Sequence, residues 1–237
     1  MSRPPLYRMA DSTLTTRIFL LSPAHLGGKR AALLLGGRGR FPLAERLRAG
    51  GTITLGEAFS FLSGLYFRGK LAYARRFAVP PPGVLRVQVI TSNRGLLPAD
   101  TEVTAEELRA FADTEIRPDE PRYHEPLRRG LADIDRAVMA GDAPPEIVLL
   151  GSVATGKYVD VLLDVLGERL LFPSEFVGRG DMSRGALLLR AAREGTELAC
   201  ERVATATRRG KRPRRTATDD GDGDGTDTPV LAHTGQG

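Results

Sequence analysis

The sequence predicts an α/β fold, a Rossmann-like three-layer sandwich around a largely parallel central sheet of about five strands. Three observations predict it. Short apolar runs alternate along the chain with longer stretches whose apolar residues recur at helical spacing. Each of the first four apolar runs ends in a loop rich in glycine, serine and cations. Two of the helical stretches open on a Thr-x-x-Glu capping box, in which the threonine oxygen accepts the N3 amide proton and the glutamate reaches back. Strands that alternate with helices are joined by helical crossovers, which make neighbouring strands parallel.

In chain order, residues 1–15 are polar with paired prolines and read as a flexible arm. Arg17-Ile-Phe-Leu-Leu21 is a first buried strand that ends at Ser22. His25-Leu-Gly27-Gly28-Lys29-Arg30 follows as a turn with two glycines and two cations, before apolar character resumes over 31–35. Residues 41–48 form a short helix stopped by Gly50 and Gly51. The first capping box, Thr54 with Glu57, opens a long helix through Phe77, in which Gly64 and Gly69 mark a kink or a close helix contact. Residues 85–90 are a second strand with Thr91-Ser-Asn93-Arg94-Gly95 as its exit loop. The second capping box, Thr104 with Glu107, starts a helix to about Ala112. A proline-rich irregular segment precedes an amphipathic helix over 127–139.

The third strand runs into Gly151-Ser152-Val-Ala-Thr155-Gly156-Lys157-Tyr158, followed by a helix to Leu166 that Gly167 closes. A fourth strand lies at 169–172. A loop then holds Arg179 between two glycines, Asp181-Met-Ser-Arg184 leads into a last helix over 186–193, and 197–203 form a final strand. From Thr205 onward six cations are answered by five aspartates with no apolar periodicity, so the tail is expected to be disordered and the domain to span 16–204.

The chain has 237 residues and a formal net charge of +5. Its folded part is therefore only mildly basic, which suits an anionic ligand as well as a nucleic acid. The single Cys200 excludes an internal disulfide and a cysteine-based zinc site, and three histidines make no metal cluster, so neither metal nor cofactor is expected. The longest early apolar run, Ile18–Leu21, is too short to span a membrane, and a cytoplasmic protein without membrane partners is expected.

The spacing Gly151-x4-Gly156-Lys157 matches a nucleotide-binding loop, but Tyr158 stands where magnesium needs a Ser or Thr hydroxyl. The motif also comes late in the chain. The sequence therefore points away from a typical P-loop nucleoside triphosphatase and toward an anion contact at Gly151, Ser152, Thr155, Gly156 and Lys157, with an ordinary strand-to-helix turn as the alternative. Ligands of open α/β sheets sit beyond the carboxyl ends of the strands, where strand order reverses. That rule draws Ser22, Gly27, Gly28, Lys29, Asn93, Arg94, Arg179 and Arg184 toward the same site. Asp181, His25 and Glu175 are the candidate acid–base groups. Against these, Asp181 is equally a helix N-cap and His25 a surface residue. No Gly-x-Ser-x-Gly elbow surrounds Ser22, Ser92 or Ser152. Tyr66, Arg68, Lys70 and Tyr73 could flank a ligand, although a core helix face explains the aromatic run 59–67.

The segments 61–74, 90–98 and 151–158 resemble a family of uncharacterised bacterial α/β proteins. More distantly they resemble small domains found near tRNA-guanine transglycosylase and base-modification enzymes. The resemblance covers roughly 59–166 and implies a nucleotide or nucleic-acid connection. Two functions follow as expectations. One is an enzyme, or degenerate enzyme, acting on a nucleotide, nucleobase or nucleic acid through an anion site at the strand ends. The other is a non-catalytic module that binds nucleic acid or protein. Oligomeric state is not legible.

Overall fold

The computed structural model describes residues 16–81, 83–139, 145–154 and 156–207. The expected arm over 1–15, the tail from 208 onward and Thr155 of the candidate anion loop lie outside the described residues. In chain order the strands are β1 (Arg17–Leu21), β2 (Ile53–Thr54), β3 (Val87–Ile90), β4 (Leu96–Pro98), β5 (Glu102–Val103), β6 (Glu146–Leu150), β7 (Leu170–Pro173) and β8 (Cys200–Arg202). The helices are α1 (Lys29–Leu35), α2 (Pro42–Arg48), α3 (Leu55–Ser63), α4 (Leu65–Phe77), α5 (Ala105–Ala112), α6 (Pro121–Met139), α7 (Gly156–Leu166) and α8 (Asp181–Glu194).

Ile18, Phe19, Leu20 and Leu21 are all buried, as are Ile147 to Leu150. Four consecutive buried residues fit a strand covered on both faces and not one with a solvent side. Accordingly β1 and β6 lie next to each other at the centre, parallel and in register from Arg17↔Glu146 to Leu21↔Leu150. The sheet order is β4-β3-β1-β6-β7-β8. The four inner strands are parallel, and β4 and β8 are antiparallel edges. The fold is thus α/β with a mixed, mostly parallel six-stranded sheet. From β1 the chain goes first to β3 on one side and later to β6 on the other, so strand order reverses between β1 and β6.

Short elements depart from expectation. Leu96–Pro98 folds back on β3 as a hairpin strand, and β2 pairs with β5 as a two-residue ladder; neither was expected. Both capping boxes form, with Thr54 and Thr104 each accepting from the amide of the glutamate three residues on. The long helix expected from Thr54 to Phe77 is two helices, because Gly64 adopts φ 59°, a left-handed value that glycine reaches without strain. α6 starts six residues earlier than expected. Pro121 begins it, where a missing N–H costs nothing, and Pro126 forfeits only the bond to the carbonyl of Arg122, an exposed residue near the helix start.

Gly69, the second glycine singled out, makes a helix contact. α4 packs along α8, and a Cβ on Gly69 would stand 2.6 Å from the Gly185 carbonyl oxygen. Backbone thus meets backbone, which brings the Tyr66–Lys70 turn of α4 beside the first turns of α8. α6 packs in the same pairwise way on α7. Among the described residues, no helix is long and apolar enough to cross a membrane.

Candidate functional site

The reversal between β1 and β6 brings two strand ends together. β1 ends at Ser22, whose amide donates to the Leu150 carbonyl at 3.1 Å, and β6 ends at Gly151. A Cβ on Gly151 would lie 2.8 Å from Ser22 Cβ and 2.9 Å from the Tyr158 hydroxyl oxygen. Glycine is needed there because a serine and a tyrosine close over it. Tyr158 is buried on the first turn of α7, and its hydroxyl donates to the Ser152 carbonyl at 2.8 Å. The loop read as a phosphate cradle is therefore folded onto its own tyrosine.

Into this junction α4 sends Lys70, only 1% exposed. Its Nζ donates to the Ser22 carbonyl at 2.6 Å and lies 3.0 Å from Ser22 Oγ. The rings of Tyr66 and Phe67 flank it at 4.6 and 4.8 Å. No carboxylate pairs with Lys70 among the described residues. Burial therefore pushes its pKa down to about 7, with Asp181 opposing the shift and Arg184 adding to it. The Tyr66 hydroxyl is buried without a hydrogen-bond partner, and burial raises its pKa against the pull of Arg184. Tyr123 is a second buried tyrosine whose hydroxyl lacks a partner, and burial raises its pKa, with Tyr158 adding to the rise. Burial also raises the Tyr158 pKa.

Beside the junction opens a cleft of about 460 Å³. Residues 23–27 after β1, Ser92 after β3 and Lys157 at the start of α7 contribute to its lining, with Phe59, Phe111 and Ile116 supplying apolar wall. Thus the ends of β1 and β3 and the start of the helix after β6 do meet, as the switch-point rule implies.

The structure assigns the expected residues unequally. Ser22, Gly151 and Ser152 belong to the junction. His25, Gly27 and Lys157 line the cleft, where His25 is exposed and its ring covers Gly27. Gly28 is the N-cap of α1, and Lys29 is exposed at its first position. Asn93 and Arg94 lie in a separate groove of about 650 Å³. There Asn93 donates to the Ala110 carbonyl at 2.9 Å and Arg94 pairs with Glu107 at 2.5 Å, so neither is joined to the junction. Gly156 opens α7, but the Asp160 carboxylate lies over it where a Cβ would collide. That negative group disfavours a phosphate at the helix start.

The candidates at and before the start of α8 are engaged locally. Arg184 is buried and donates through Nε and Nη2 to the Phe176 carbonyl at 3.1 and 3.0 Å, which fastens the preceding loop to the helix. Arg179 donates to Ser183 Oγ at 3.1 Å and stands 3.9 Å from Glu175, so these two candidates partly neutralise each other. Asp181 is not the N-cap, which is Gly180; its side chain is 70% exposed and 3.6 Å from Arg184. Among the described residues, no group of three or more His, Cys, Asp or Glu side chains could hold a metal ion.

Comparison with protein-family models, curated proteins and solved structures finds no match for this chain. The site therefore stands on its own geometry. Lys70 is the residue that sequence reasoning undervalued. Its signal was a lysine on the apolar stripe Tyr66, Lys70, Tyr73, Phe77, where a charge belongs only if it is buried for a reason.

Proposed function

We propose that the protein is an enzyme, or an enzyme-derived binding protein, acting on a nucleotide, nucleobase or nucleic-acid substrate. It does so at the strand ends of a Rossmann-like three-layer sandwich and works in the cytoplasm. The observation that carries this reading is the cleft beside the β1–β6 junction. Its volume lies in the range of small-molecule sites. Leu26 and Ile116, both partly exposed, offer apolar surface, with Phe59 and Phe111 buried behind the wall, and Lys157 offers positive charge at the same opening. Arg117 also lines the cleft, but Glu115 at 3.2 Å and Asp119 at 3.4 Å already engage it, so Lys157 is the cation that meets an anionic group. The resemblance of 59–166 to domains near base-modification enzymes points the same way. The adjoining junction, with its buried lysine and unpartnered tyrosine hydroxyl, is the kind of perturbed environment that accompanies chemistry.

Thermal-shift and calorimetric titration with nucleobases, nucleosides, nucleotides and short oligonucleotides tests it. At least one class is expected to stabilise the protein, and Lys157→Ala to weaken an anionic member of that class about tenfold, or about 1.4 kcal/mol. Stabilisation by none of them overturns the reading.

A further inference from the structure

We propose that Ser22 and Lys70 form a nucleophile–base pair that opens an ester or amide, with Ser22 Oγ attacking the carbonyl carbon and Lys70 Nζ carrying the proton. This names a reaction beside the cleft and rests on the preceding reading only for the ring-bearing end of the substrate.

The geometry puts the amine within reach of the hydroxyl. Lys70 Nζ donates to the Ser22 carbonyl at 2.6 Å and to Ser22 Oγ at 3.0 Å, and across that same 3.0 Å the neutral amine has a lone pair to take the Oγ–H proton. A buried ammonium without a carboxylate is costly, and the rings of Tyr66 and Phe67 soften that cost without supplying a counter-ion. The charged and titratable groups that act on Lys70 from other elements are Asp181 and Arg184 of α8. Tyr66 faces it from its own helix, and Tyr158 of α7 approaches Ser22. The net result is an amine with a pKa of about 7, about half of it unprotonated at neutral pH and available as a general base. The elbow of serine hydrolases is not needed, because lysine–serine pairs activate the hydroxyl without histidine.

The step balances. Lys70 takes the Ser22 proton, an Oγ–C bond forms, and the carbonyl π pair moves to oxygen. Collapse breaks the bond to the alcohol or amine, which leaves with the proton from Lys70. Water, deprotonated by Lys70, then attacks the acyl-serine; the C–Oγ bond breaks, the acid is released, and Lys70 returns the proton to Ser22 Oγ. The Tyr66 hydroxyl is a buried donor in the same cluster, with Arg184 acting on it from α8. Pro23 and Ala24, the residues directly after Ser22, line the cleft, and Ser22 itself is buried behind them.

The test uses the folded full-length chain and two serine-directed probes of different size, an alkyl fluorophosphonate and a sulfonyl fluoride, with the adduct mapped by peptide mass spectrometry. The expected result is an adduct on Ser22 with at least one probe, absent in Ser22→Ala, formed at a rate that rises with pH around 7 and falls at least tenfold in Lys70→Met. No adduct on the wild type with either probe, or an adduct that persists in Ser22→Ala, overturns the pair. So does a labelling rate that Lys70→Met leaves unchanged while circular dichroism shows the variant folded. Because nucleotide binding is read separately through Lys157, loss of one reading leaves the other measurable.

Discussion

Gly69 and Gly185 meet backbone to backbone where α4 crosses α8. A Cβ on Gly185 would lie 2.8 Å from the Leu65 carbonyl and from Tyr66 Cα, and one on Gly69 would lie 2.6 Å from the Gly185 oxygen. Lys70 follows Gly69 directly, and Arg184 precedes Gly185. The two glycines therefore set the distance between the helices that carry the polar junction.

Alanine at either position must push the helices apart, since the colliding atoms are main chain and cannot rotate away. Gly69→Ala and Gly185→Ala are each expected to cost about 1–3 kcal/mol in urea unfolding. Gly37→Ala, with nothing within 4 Å of the added carbon, is expected to stay within about 0.5 kcal/mol of wild type.

Lys70 links stability to pH with a definite sign. Its folded pKa, about 7, lies below the usual lysine value of 10.5. Between the two the unfolded chain binds the proton and the folded chain does not, so stability rises with pH across that window and is lost as pH falls toward 7. The slope from this one group approaches about 1.4 kcal/mol per pH unit. Subtracting the pH profile of Lys70→Met from that of wild type isolates it from the tyrosines, whose raised pKa values act above pH 10. A flat difference between pH 7 and 10 would sink the assignment.

Two buried tyrosines should respond oppositely to loss of the hydroxyl. Tyr158 donates to the Ser152 carbonyl, so Tyr158→Phe removes a bond and is expected to cost about 0.5–1.5 kcal/mol. The Tyr123 hydroxyl is buried without a partner. Tyr123→Phe removes an unsatisfied group and is expected to be neutral or stabilising. Denaturation midpoints of the two variants measured side by side check the contrast.

Much of the fold was legible because its signals were local. Ile18–Leu21 and Ile147–Leu150 are apolar throughout, and a capping box needs only four residues. β2, β4 and β5 were not legible, since two or three residues carry no period and form strands only because a partner lies opposite. The site was legible by location more than by role. Topology made the ends of β1 and β6 neighbours, yet the spacing around Gly151 could not reveal that Tyr158 closes over it. Lys70 reaches a serine 48 residues earlier in the chain, a contact that exists only once α4 has docked.

The centre of the sheet is completed only late in the chain. β1 is made near the start of the chain, but its two edges wait for Val87–Ile90 and Glu146–Leu150. During synthesis an apolar strand therefore passes through a long interval with one or both hydrogen-bonding edges bare, a state prone to association with other chains. Chains truncated at residue 139 should accordingly sediment with chaperones or aggregate, and solubility should appear only when residues through 173 are included. A soluble, monomeric 1–139 fragment on gel filtration would count against this order of assembly.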